Sequence, residues 1–286
     1  MPRALIILYT LTFCLASLAL AYNTLVTHYY MMNYFPPKVT YIGLILIISY
    51  LGVIIHFGKD RLPTNYMQAL LTLFSVFILL ALATNAVQLT PFHPIDHYLL
   101  TLDNYLNINT IGILTWCAHH PLFKSILMLS YNSLPLQMCY VPLFVIVMRN
   151  FKLINEYYLL IIISMLLGFS CYYFFPTTAP ASLLTSNLFY AEQIATGIKF
   201  NLIHQGQAAT NLNGGLIAFP SFHVIWAWFC VYLLRPWPIG YYILLPINIL
   251  LIMACVLLGW HYFIDLLGSL IIIIISHFCC NKLLGT

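Results

Sequence analysis

Long apolar runs separated by short polar breaks dominate this chain. A helix of about 20 mostly apolar residues crosses the hydrocarbon of a bilayer. Eight segments reach or approach that length: 4–22, 40–57, 67–90, 125–148, 154–175, 219–235, 239–258 and 262–280. The pattern predicts an all-α fold, a polytopic membrane helix bundle of about eight transmembrane helices. The first segment reads as a retained span rather than a signal peptide, because no small-residue cleavage site accompanies it. Pro135 and Pro142 in the fourth segment and Pro246 in the seventh predict kinks, since proline frees a backbone carbonyl that neighbouring helices must repair.

The basic residues set the orientation. With the N-terminus inside, Arg3, Lys59, Arg61, Arg149, Lys152, Arg235 and Lys282 fall on the inner side, against Lys38, Lys124 and Lys199 outside. Two outer loops are long, 91–124 and 176–218, and the inner loops are short. Loops of this length in a compact protein are commonly functional. Their content of Tyr98, Trp116, Leu183, Phe189 and Tyr190 predicts short interfacial or re-entrant helices over the outer mouth of the bundle.

Composition agrees with a membrane solvent: the 286 residues are 63% hydrophobic and only 6% charged, where a soluble surface needs several times more charge. The net charge of +4 comes from scattered residues, so no basic stripe offers itself to nucleic acid. The eight cysteines follow no metal-ligand spacing; they read as small apolar side chains.

Two polar interruptions carry the candidate chemistry. Pro220-Ser221-Phe222-His223 opens the sixth segment, and His261-Tyr262-Phe263-Ile264-Asp265 opens the eighth. Ionisable groups in apolar spans are costly and usually mark function. Pro220 suits a first helical turn, and the free N–H groups of Ser221, Phe222 and His223 predict an anion site. From Pro220 to Arg235 the helix would measure only about 24 Å, which sets its opening turn in a pocket below the outer surface. His261 and Asp265, four apart, are expected on one face of the eighth helix. A carboxylate holding one imidazole nitrogen leaves the other free to attack. A histidine nucleophile, its orienting carboxylate, a second histidine and an anion cradle suffice for phosphoryl transfer without a metal or other cofactor.

These residues also resemble a known family. Phe219 to His223 and Gly259 to Asp265 look like the second and third motifs of the type 2 phosphatidic acid phosphatase superfamily. The H-Y-x-x-D form is similar to the branch containing inositol phosphorylceramide synthase and sphingomyelin synthase. Phe175-Pro176-Thr177-Thr178-Ala179-Pro180 resembles that branch's first motif, and Tyr131-Asn132-Ser133-Leu134 fits it more weakly. The resemblance implies a six-helix catalytic core within 67–286, with residues 1–66 adding two helices. It further implies His261 as a nucleophile forming a phosphohistidine, Asp265 orienting it, and His223 as acid and base. Ser221, Phe222 and Thr178 would hold phosphate oxygens. The substrate would be a membrane lipid phosphate or phosphodiester, and the site would face the periplasm of a bacterial inner membrane or a chemically equivalent lumen.

The chain also departs from the family pattern. Phe222 replaces a glycine, Ala254 and Cys255 stand where Ser-Arg is common, and no basic residue lies between Lys152 and Lys199. These losses point away from a plain soluble-phosphate or phosphatidate phosphatase and toward the synthase-like branch, whose substrates are phosphodiesters and whose acceptor is an alcohol or water. His119, His120, Lys124, Lys199 and His204 are the outer-side candidates for the missing cations. Asp96 and Asp103 read as loop or capping residues. Two alternatives stand beside the enzyme: a non-catalytic family member, and a transporter with a His/Asp proton relay.

Overall fold

The computed structural model describes residues 2–29, 32–209, 215–216 and 219–285. Among these there are twelve α-helices and no strand. The first three are α1 (Arg3–Val26), α2 (Val39–Phe57) and α3 (Leu62–Val87). The first long loop contributes α4 (Asp96–Tyr105) and α5 (Thr110–Ala118), followed by α6 (Pro121–Asn132), α7 (Leu134–Val147) and α8 (Phe151–Phe174). A 3-10 turn at Pro180–Ser182 and α9 (Ala191–His204) lie in the second long loop, before α10 (Phe222–Leu233), α11 (Pro238–Leu257) and α12 (Phe263–Leu284).

Six of these helices, α1, α2, α3, α8, α11 and α12, are long and apolar enough to span a membrane. The other two expected spans take a different form. The fourth divides into α6 and α7 at Ser133, because Pro135 supplies no N–H and its ring collides with the preceding turn; the Ser133 hydroxyl donates to Ser130 O at 2.6 Å across the break. The sixth contracts to the twelve residues of α10, beginning immediately after Ser221.

The core is built around α8, whose residues from Tyr157 to Met165 are buried without interruption. It packs on α1, α3, α7, α10 and α12. Polar bonds join helices where lipid offers no partner. Tyr158 Oη donates to Ala69 O at 2.7 Å, and Asn248 Nδ2 to Gln137 Oε1 at 2.8 Å. At the far end of α10, Arg235 pairs with Glu156 at 2.8 Å. In the N-terminal part, α1 sits against α3 and α8, whereas α2 touches α3 and buries no residue. Met32 N–H donates to Gln88 Oε1 and Tyr34 N–H to Asn85 Oδ1, fastening the α1–α2 connection to the end of α3.

Candidate active site

The N-termini of α10 and α12 open at the same end of the bundle and bring the two polar interruptions together. Gly259, at φ +75°, turns the chain out of α11. A Cβ there would lie 2.9 Å from the Phe189 ring, so both the backbone angle and the packing call for glycine. His261 N–H then bonds to Cys255 O at 2.8 Å, and α12 starts at Phe263.

His261 therefore stands in the turn before α12, not on the helix itself as its spacing from Asp265 suggested. The two still meet. His261 Nδ1 lies 3.0 Å from Asp265 Oδ2, the same oxygen that accepts Tyr262 N–H at 3.2 Å. On the other edge of the ring, Nε2 lies 3.0 Å from Ser221 Oγ. A carboxylate only accepts, so Nδ1 carries the proton and Nε2 presents its lone pair to the serine hydroxyl. All three side chains are buried. The Ser269 hydroxyl, 3.0 Å from Ser221 O and 2.7 Å from Asp265 O, ties the start of α10 to the first turns of α12.

His223 approaches the same place from α10, its ring centroid 6.3 Å from that of His261. Tyr131 lies flat against it at 4.2 Å. Trp260 also stacks on Tyr131 at 5.1 Å, and Tyr190 on Trp260 at 6.2 Å. Lys124 caps this row of rings, its Nζ 4.9 Å from the Tyr190 centroid. An open cleft of about 520 Å³ lies beside it, lined by Lys124, Ser125, Met128, Asn132 and Tyr190. Apart from Tyr131, these ring partners left no local signal, since aromatic residues are common throughout the chain.

The remaining expected phosphate ligands divide. Phe222 sends its ring away, into α8 beside Phe169 at 4.4 Å, so only its main chain faces the opening turn. Thr178 directs both its N–H and its hydroxyl to the carboxylate of Asp96, at 2.9 and 3.0 Å. Its donors are thus engaged apart from the Ser221–His261–Asp265 chain. Lys199 Nζ donates to Tyr34 Oη at 3.0 Å, and burial lowers its pKa to about 8. His204 bridges Phe200 O and Thr90 O, while His119 and His120 bond back to Thr115 O and Trp116 O within α5. Asp103 acts as a cap for the distant start of α12, whereas Asp96 holds Thr178 and the Tyr262 hydroxyl. Among the described residues no three His, Cys, Asp or Glu side chains converge as metal ligands.

A model of the PAP2 superfamily, the type 2 phosphatidic acid phosphatases, matches residues 97–279. The chain belongs to the PAP2 superfamily. No curated protein and no solved structure shows significant similarity to it. PAP2 membership places its activity among phosphatase-type, lipid-related functions. The match covers α5 to α11 entirely and most of α4 and α12, so both histidine motifs lie inside it.

Proposed function

We propose that this PAP2 protein is an integral-membrane lipid phosphatase or phosphotransferase that works through a phosphohistidine on His261, without a metal. The observation that carries this reading is the hydrogen-bonded chain Ser221–His261–Asp265, which leaves the Nε2 lone pair poised at the mouth of two helix N-termini. A phosphate arriving there takes over the Ser221 hydroxyl and meets the unpaired N–H groups of the first turn of α10. Nε2 then forms the N–P bond as the P–O bond to the leaving group breaks. Asp265 stabilises the cationic ring, and protonated His223 gives its proton to the departing oxygen. In the second half His223 removes a proton from water or an alcohol, whose oxygen attacks phosphorus and releases His261.

The loss of cationic phosphate ligands favours a phosphodiester lipid as donor and an alcohol as acceptor, as in the branch containing inositol phosphorylceramide and sphingomyelin synthases. The distribution of basic residues supports a site on the periplasmic or lumenal face, and a bacterial inner membrane suits the chain.

The short Ser221–His261 contact also supports a second reading, in which Ser221 is the nucleophile and His261 its base. Purified protein in detergent should be incubated with labelled phospholipids and lipid phosphates, with and without diacylglycerol, ceramide and inositol, and quenched early. Label that is acid-labile and alkali-stable, and absent from His261→Ala, supports the phosphohistidine. Acid-stable, alkali-labile label assigns the bond to Ser221. Loss of activity in EDTA that zinc restores would sink the metal-free mechanism.

A further inference from the structure

Helix α4 carries two buried carboxylates, Asp96 and Asp103, seven residues apart and therefore on one face two turns apart. Asp103 accepts Phe263 N–H at 2.8 Å on one oxygen and Ile264 N–H at 3.0 Å on the other. These are the first two residues of α12. Helix N-termini usually draw such a cap from the residue just before them. Here that residue is Tyr262, and its hydroxyl is turned to Asp96 Oδ1 at 3.1 Å. The start of α12 is thus fixed by a side chain 160 positions earlier in the chain.

At its other end α4 holds the segment that follows α8. Ile95 N–H bonds to Pro176 O at 2.9 Å, and Asp96 takes the two Thr178 donors. The opposite face of α4 exposes Tyr98, Leu102 and Tyr105. Segment 261–265 therefore donates three hydrogen bonds to α4, from Tyr262, Phe263 and Ile264. His261 and Asp265, the pair that does chemistry in the function proposed above, flank those three residues.

We propose that Asp103 is a positioning residue for catalysis, which holds the first turn of α12 so that Asp265 keeps His261 in the Nδ1–H form. This rests on the proposed role of His261. Without Asp103 the first two N–H groups of α12 lose their acceptor, the turn loosens, and the Asp265 oxygen shifts from Nδ1. Displacements of about 1 Å can cost two orders of magnitude in rate. Asp103 is itself buried, so its loss acts through this turn.

The test compares full-length wild type, Asp103→Ala and Asp103→Asn in detergent, by steady-state kinetics and by histidine ¹⁵N NMR, with His261→Ala assigning the resonance. Asp103→Ala should lower kcat by about 10- to 100-fold with KM nearly unchanged, and His261 should change from one tautomer to a mixture. Asp103→Asn, keeping one acceptor oxygen, should fall between, at about fivefold below wild type. A folded Asp103→Ala protein with wild-type kcat and a single tautomer overturns the proposal, as does a change confined to KM. Should the alanine variant not fold, wild-type kcat in Asp103→Asn overturns it. If wild type turns over no phosphate ester, the nucleophile assignment fails, and the tautomer spectra still decide the role of Asp103.

Discussion

Tyr131 lies against His223 with ring centroids 4.2 Å apart and planes within 9° of parallel. The stack restrains the side-chain torsions of the imidazole. Tyr131→Leu should lower kcat about tenfold through loss of this ring contact, and Tyr131→Phe should retain most of the activity. Turnover by the two variants, with folding checked by thermal melts, separates ring stacking from any role of the hydroxyl.

Phe222, at the position where the family pattern has glycine, is accommodated by a glycine elsewhere. A Cβ on Gly168 would fall 2.7 Å from the Phe222 ring tip and 3.1 Å from its neighbouring carbon. Gly168→Ala should cost about 1–3 kcal/mol by overpacking. Adding Phe222→Leu should recover part of the loss, although Phe222→Leu alone destabilises. The four melting temperatures form a double-mutant cycle, and an additive result would exclude the coupling.

Asp265→Ala removes the acceptor that holds the proton on Nδ1, so His261 is released to carry it on Nε2, the atom proposed to attack. Turnover should fall by about three to four orders of magnitude with the protein still folded. Single-turnover labelling of the variant is the direct check, because no phosphoenzyme should accumulate.

Asp96 gives a signature in stability against pH. Its carboxyl is raised from 3.8 to about 6, chiefly by burial; hydrogen bonds from Thr178 and Tyr262 oppose the rise, and the nearby Asp265 charge adds to it. The folded state thus keeps a proton that the unfolded chain has lost between these values. The contribution is fully present below pH 3.8 and is lost as pH rises through about 6. Asp96→Asn should remove this decline. Melting curves of the two proteins in detergent from pH 3.5 to 7 should therefore differ in slope, and parallel curves would contradict the assignment.

Much of the bundle was legible because the signals are local. Apolar runs such as 154–175 specify spanning helices whatever surrounds them, and Pro220 before Ser221 marks a helix start. His261 and Asp265 were legible through their spacing, although the helix begins two residues after His261. Asp96 and Asp103 were readable as loop or capping residues, and Asp103 caps α12. Their partners were not readable, since Thr178 and Phe263 lie 82 and 160 positions away.

The sequence by itself determined the solvent of this protein and its all-helical class, and it singled out Ser221, His223, His261 and Asp265 as candidates, but it predicted eight spans where the described residues hold six long apolar helices. Such readings depend on transfer free energies and on helix geometry, properties of short segments. Only the tertiary structure decided that Ser221 meets Nε2 of His261, that Thr178 turns to Asp96, and that the Tyr131 ring of α6, itself stacked on Trp260, lies against His223. Those relations depend on how α4, α6, α10 and α12 pack around one point. A buried donor takes whichever acceptor the packing brings within 3 Å, however distant it is along the chain.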